Sequence, residues 1–236
     1  MRIKFCGTER DQEATRTAKY QSLFGSAHQQ NYGCERNDTA YPISYSNDVW
    51  NGYNWQGALD LSKMMLDYFA YKQDTDYLKK TVELVSGVLS FYSQRFTRTT
   101  SEGKMVIFPT QSIETYQCPH YYSQEDEIDD GSNCPTNDTP TIAGLRSVLE
   151  TLLYATDQTA LTTAGVTDDT IEGWKTFYDT IPIVPMETIT DEDGETTWTI
   201  RPCEVCKMEQ ANCENPELYP VHPYFLYTVG ELSNSQ

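Results

Sequence analysis

Glu114 lies in the stretch VIFPTQSIETYQ, Val106 to Gln117, among apolar, aromatic and amide side chains. It is therefore either a solvated loop charge or a carboxyl group placed to give up a proton. A general acid working near neutral pH must hold its proton, and desolvation by Phe108, Ile113 and Tyr116 would raise the pKa of Glu114 in that direction. Glu217 in NPELYP is the next carboxylate of interest, with a structural role toward loop amides as the competing reading. The stretch CEVCKMEQANC offers Cys203, Cys206 and Cys213 with His222 close by, but the second C-x2-C of a structural zinc site is missing, so disulfides or free thiols are expected instead. His28, His120 and His222 fall in no metal-ligand spacing, and no metal site is expected. The chain contains no G-x-S-x-G, Walker or G-x-G-x-x-G motif. What remains is carboxylates, amides and aromatics on loops, the set that cleaves glycosidic bonds with one acid and one base.

Composition narrows the partners. Of 236 residues, 35 are acidic and 17 basic, a formal charge of -18, which works against holding nucleic acid or an anionic membrane. The 17 tyrosines suit surfaces that meet sugars, apolar on a ring face and polar at an edge, or equally a tyrosine-rich core. No apolar run reaches the length of a membrane span, and MRIKFCGTERDQE lacks the apolar middle of a signal peptide. Seven cysteines, including Cys6, Cys34, Cys118 and Cys134, leave at least one unpaired, and NDT sequons stand at Asn37 and Asn137. Cysteines and sequons together point to an extracytoplasmic or secreted protein whose signal lies outside this sequence.

The elements that must carry these residues read mainly as helices. Residues 54–72 repeat Trp55, Leu59, Met65 or Leu66, and Phe69 at helical spacing. After QDTD, where Asp74 or Thr75 can cap, Leu78, Val82, Val85, Leu89 and Tyr92 continue the period, which predicts an antiparallel helical hairpin. KMVIFP predicts a short strand or extended segment, and residues 111–138 a long polar loop of the kind that carries function. Thr139 as cap and Pro140 as first residue open a third helix with Ile142, Leu145, Leu149, Leu152 and Leu153 inward. TDDTIEGWKTFYDTI predicts a fourth helix ended by Pro182, followed by a β-hairpin turning at Asp193-Gly194 and an extended, Pro-rich end over 202–227.

The blocks WNGYNWQGALDLSKMMLDYFAYKQDTDYLKK, FPTQSIETYQCP, TNDTPTIAGLRSVLETLL and ENPELYPVHPYFLYTVG, taken in series, resemble the six-hairpin glycosidases, (α/α)6 toroids related to glycoside hydrolase family 95, which includes inverting α-L-fucosidases. The resemblance covers residues 49–236 and leaves 1–48 as an irregular N-terminal segment of a single, incomplete domain. It implies a mainly α fold, a partial (α/α)6 toroid of helical hairpins with long loops and a small β-hairpin. It implies Glu114 as general acid, with Asn54 and its neighbour Asn51 holding the attacking water. Trp50 and Trp55 are expected at the cleft end, and Gln56, Tyr116, Glu217 and His222, the last in the H-P pair of the late loop, complete the substrate-binding set. The family's base falls at Thr228, which has no carboxylate; related toroids read Asp at Thr141 and Arg at Phe225.

The resemblance implies an inverting glycoside hydrolase acting on a plant- or glycan-type oligosaccharide or polysaccharide, without metal or organic cofactor. The alternative is a catalytically inactive carbohydrate-binding or structural module of the same fold, and a third is a cysteine-stapled interaction domain. No nucleic acid and no membrane is expected as partner. The sequence stops before the last hairpins of the toroid, so a fragment, a dimer or a longer chain completing the ring is expected.

Overall fold

The computed structural model describes residues 53–118, 133–191 and 193–228. Helix α1, Gly57–Lys72, starts after Gln56 and stops at Gln73, whose left-handed backbone (φ 57°) turns its N–H back onto the Phe69 carbonyl. The next residue, Asp74, caps α2, Thr75–Arg95, by accepting the Tyr77 amide at 3.1 Å. So short a connection makes α1 and α2 pack as a hairpin. The predicted inward faces are buried: Leu59, Leu66 and Phe69 on α1, and Leu78, Val82, Val85, Leu89 and Tyr92 on α2. Leu66 rather than Met65 takes the core position.

Strand β1, Thr136–Asp138, runs directly into α3, Thr139–Glu150, which continues as one π-helical turn over Thr151–Ala155. The cap is Asp138, not Thr139: its side chain accepts the Thr141 amide at 2.9 Å, which moves Pro140 one position inside the helix. A carboxylate outcompetes a hydroxyl there because it meets both the amide and the positive end of the helix. A short helix α4, Gln158–Thr163, absent from the sequence prediction, precedes α5, Asp168–Thr180, capped by Thr167 and ended before Pro182. Strands β2, Met186–Thr190, and β3, Thr196–Ile200, form the expected hairpin, with Gly194 at φ 83° in its turn. Strand β4, Cys203–Val205, pairs antiparallel with β1 in the register Asp138 to Cys203, giving a second two-stranded sheet that the sequence did not suggest.

The protein is thus mainly helical, with five α-helices and two small antiparallel sheets among the described residues. Helix α1 packs on α2 and α3, and α3 on α5, and among the described residues the helices form no closed ring. The N-terminal ends of α1 and α3 lie together: the Tyr92 hydroxyl donates to the Trp55 carbonyl at 2.6 Å and stands within electrostatic reach of Asp138. Lower down, Leu59 of α1 meets α3 at Gly144, where no side chain intervenes. No described helix is long and apolar enough to cross a membrane.

Candidate functional site

Three chain segments meet over those helix ends. The residues leading into α1 are tied to the loop ahead of Glu114, since the Tyr53 amide donates to Gln111 Oε1 at 2.8 Å, the Gln111 amide to the Tyr53 carbonyl at 3.1 Å, and the Trp55 indole to the Pro109 carbonyl at 3.0 Å. Ser112 and Tyr116 exchange backbone hydrogen bonds at 3.0 and 3.2 Å, closing a tight loop in which Ile113 takes φ 47° and Glu114 is half-buried at the bend. This loop then binds the late segment: Ala211 N–H donates to the Thr115 carbonyl at 2.8 Å, and the Thr115 hydroxyl meets Asn212 Oδ1 at 2.7 Å. The Glu217 carboxylate, within electrostatic reach of Tyr116, adds to burial in raising its phenol.

Thr110 and several described polar residues of the predicted 111–138 loop are interior. Thr110, Gln111, Ser112 and Thr115 are all buried, each satisfied by partners far along the chain. Beneath them Asp138 is fully buried, and desolvation pushes its carboxyl from the usual 3.8 up to about 6 against hydrogen bonds from the Thr110 hydroxyl and from Thr141. A group sealed in this way joins the Thr110 loop to the start of α3 and cannot touch a substrate. Nearer the surface, burial raises Asp60, opposed by the Tyr224 hydroxyl that donates to its Oδ1 at 2.5 Å. Burial raises Tyr219 too, and the Asp60 and Glu214 carboxylates push it further while Gln56 opposes them.

No family model and no curated protein matches this chain. Its candidate site therefore stands on the residues themselves. Asn54, half-buried, leads into α1 on the segment bonded to the Glu114 loop, which Tyr116 closes and whose Tyr116 phenol Glu217 reaches electrostatically. Trp50 and Asn51 lie outside the described residues, as does Asn37. Trp55 corrects the expectation of an exposed cleft residue. It is 1% exposed, packed against Phe91 and edge-on to Phe96 with the Arg95 guanidinium over its ring, because an indole at the start of an inward helix face buries more area than it could offer to solvent. Gln56 is likewise buried, with its amide on Tyr219. His222 is exposed, its ring 5.6 Å from that of Phe225.

Disulfides join Cys118 to Cys134 and Cys203 to Cys206, and Cys213 is free and exposed. Among the described residues no group of three histidine, cysteine or acidic side chains is arranged to hold a metal ion. The sequon at Asn137 is not an acceptor in this fold: its Oδ1 takes the Ile107 amide at 2.7 Å, its Nδ2 donates to Glu204, and the residue is buried. Sequence reasoning missed Asp60, Asp138, Tyr219 and Tyr224. Only Asp138 left a signal, as an Asx residue ahead of Thr-Pro at a helix start.

Proposed function

We propose that this chain is a carbohydrate-active domain built as part of an (α/α)6 toroid, and that it hydrolyses glycosidic bonds of an oligosaccharide with inversion. Glu114 is the general acid that protonates the departing glycosidic oxygen. Glu217 is the base: it takes a proton from the water that attacks the anomeric carbon on the opposite face as the carbon–oxygen bond breaks. Asn54, with Asn51, orients that water. The observation that supports the reading is the hydrogen bonding of Ala211 and Asn212 to Thr115 in the Glu114 loop, with the Glu217 carboxylate of the same segment within electrostatic reach of Tyr116. For an inverting pair the carboxyl groups should stand roughly 6.5 to 9.5 Å apart in the substrate complex, leaving room for water. The two disulfides support folding in an oxidising compartment.

A binding module without turnover is the second reading, and Thr228, where the resemblance expects the base, favours it. Aryl α-L-fucosides and β-galactosides separate the two. Turnover that falls at least a hundredfold in both Glu114→Gln and Glu217→Gln, a loss of the size expected for removing an acid or a base, supports hydrolysis. Equal, near-zero rates in all three proteins, with oligosaccharide still bound, leave the binding module.

A further inference from the structure

The two disulfides differ in how they meet solvent. Cys118 and Cys134, with a sequence separation of 16, are both buried. Cys203 and Cys206 have a separation of only 3, and they are unlike each other. Cys203 is buried at the start of β4, opposite Asp138, whereas Cys206 is half-buried and leads into residues 207–210, all exposed. Exchange with an outside thiol needs a sulfur that the thiol can reach, and exposed disulfides are the labile ones. Closing a short loop also removes less chain freedom than closing a long one, so the fold loses less when the short loop opens.

The pair lies between two anchors on the Glu114 loop. Upstream, the Pro202 carbonyl accepts the Ser112 hydroxyl at 2.6 Å and the Thr139 amide at 3.0 Å. Downstream, the Ala211 amide donates to the Thr115 carbonyl at 2.8 Å. We propose that Cys203–Cys206 is a thiol-exchange site at which a small monothiol attacks Cys206, and that its opening loosens the downstream anchor. The attacking thiolate bonds to Cys206 Sγ as the Cys203–Cys206 bond breaks, and Cys203 leaves with the electron pair and takes a proton. A second thiolate attacks the outside sulfur of this mixed disulfide, and Cys206 leaves and is protonated in turn. Two monothiols are thereby oxidised to one disulfide while the protein disulfide is reduced to two thiols. The site does not depend on the carbohydrate reading and stands whether or not the chain turns over a glycoside.

Mass spectrometry of the whole oxidised chain tests it, after timed exposure to 2-mercaptoethanol, an acid quench and thiol alkylation in denaturant. The first product should carry the mixed disulfide on Cys206 and an alkylated Cys203, formed about tenfold or more faster than Cys118–Cys134 opens. A mixed disulfide first on Cys203, or opening of Cys118–Cys134 at the same rate or sooner, overturns the site. Hydrogen exchange reads the loosening: in the opened protein the Ala211 amide should exchange about tenfold faster than in the oxidised one, with the Thr139 amide, held by Pro202, unchanged. Equal Ala211 exchange in both forms, or equal acceleration at Thr139, overturns it. If the thiol-treated chain loses its cooperative thermal transition, the double variant Cys203→Ser, Cys206→Ser supplies the open form. Loss of the transition there as well would overturn a local opening.

Discussion

Replacing Asp138 by Asn should flatten the acid side of the stability profile. The carboxyl is buried completely and titrates at about 6 in the folded chain against 3.8 when free, because burial outweighs its hydrogen bonds from Thr110 and Thr141. Between those values the folded protein holds a proton that the unfolded chain releases, so stability falls as pH rises from about 4 to about 6 and levels off above. The span of about two pH units, at ~1.4 kcal/mol each, amounts to about 3 kcal/mol. Asn keeps an acceptor for the Thr141 amide and carries no charge, so Asp138→Asn should be the more stable protein at pH 7.5 and lose that advantage by pH 4. Urea unfolding of both proteins across pH 4 to 8 measures the difference, which cancels the other carboxylates. Parallel profiles would show that Asp138 ionises without penalty and would refute the argument from burial.

Gly144→Ala should destabilise the hairpin pair by about 1–3 kcal/mol, read as a lowered unfolding midpoint, since the new Cβ would lie 2.7 Å from the Tyr224 ring and 2.9 Å from Leu59 Cβ. Replacing Cys118 and Cys134 together by Ser opens a loop with a sequence separation of 16 and should cost about 3 kcal/mol in the same assay. Produced through a eukaryotic secretory route, the folded protein should carry no glycan at Asn137, whose Nδ2 is already committed to Glu204; peptide mass spectrometry after deglycosylation reads this directly.

The helices were legible because buried apolar residues at helical spacing leave a pattern that needs no knowledge of the partner. Ile142, Leu145 and Leu149 on α3, like Leu78, Val82 and Val85 on α2, turned inward as their spacing demanded. The cap at Asp138 was misassigned because Asp138 and Thr139 are both good capping residues in adjacent positions, and only the backbone decides between them. Harder to see was that a polar run could be interior. Gln111 is buried because Tyr53, 58 residues away, supplies the backbone groups that satisfy it, and nothing in its own neighbourhood announces that. The same holds for Asp60 and Tyr224, joined across 164 residues, and for β1 with β4, strands of three residues each. Trp55 failed in the opposite sense: the resemblance put it at the cleft end, whereas it is buried in the core, in line with its apolar spacing to Leu59.

In the proposed reading the chain's departures from the six-hairpin pattern are relocations of charge. Related toroids read Asp at Thr141, and here a carboxylate stands three residues earlier, at Asp138, where it accepts the Thr141 amide. They read Arg at Phe225, and here the Lys63 ammonium of α1 lies 5.7 Å from the Phe225 ring centre, within cation–π range and also paired with Asp67. A base is missing at Thr228, while Glu217 arrives with the strap that binds Thr115. Asp138 cannot be that base itself, because a fully buried carboxylate cannot reach an attacking water. Simple decay of a site would remove charges without nearby substitutes, whereas the charges absent at Thr141 and Phe225 each have one of the same sign close by. That pattern makes Glu217→Gln the sharper of the two proposed carboxylate tests: loss of turnover there would mean the base has moved, and retained turnover would mean Glu114 works opposite some other group.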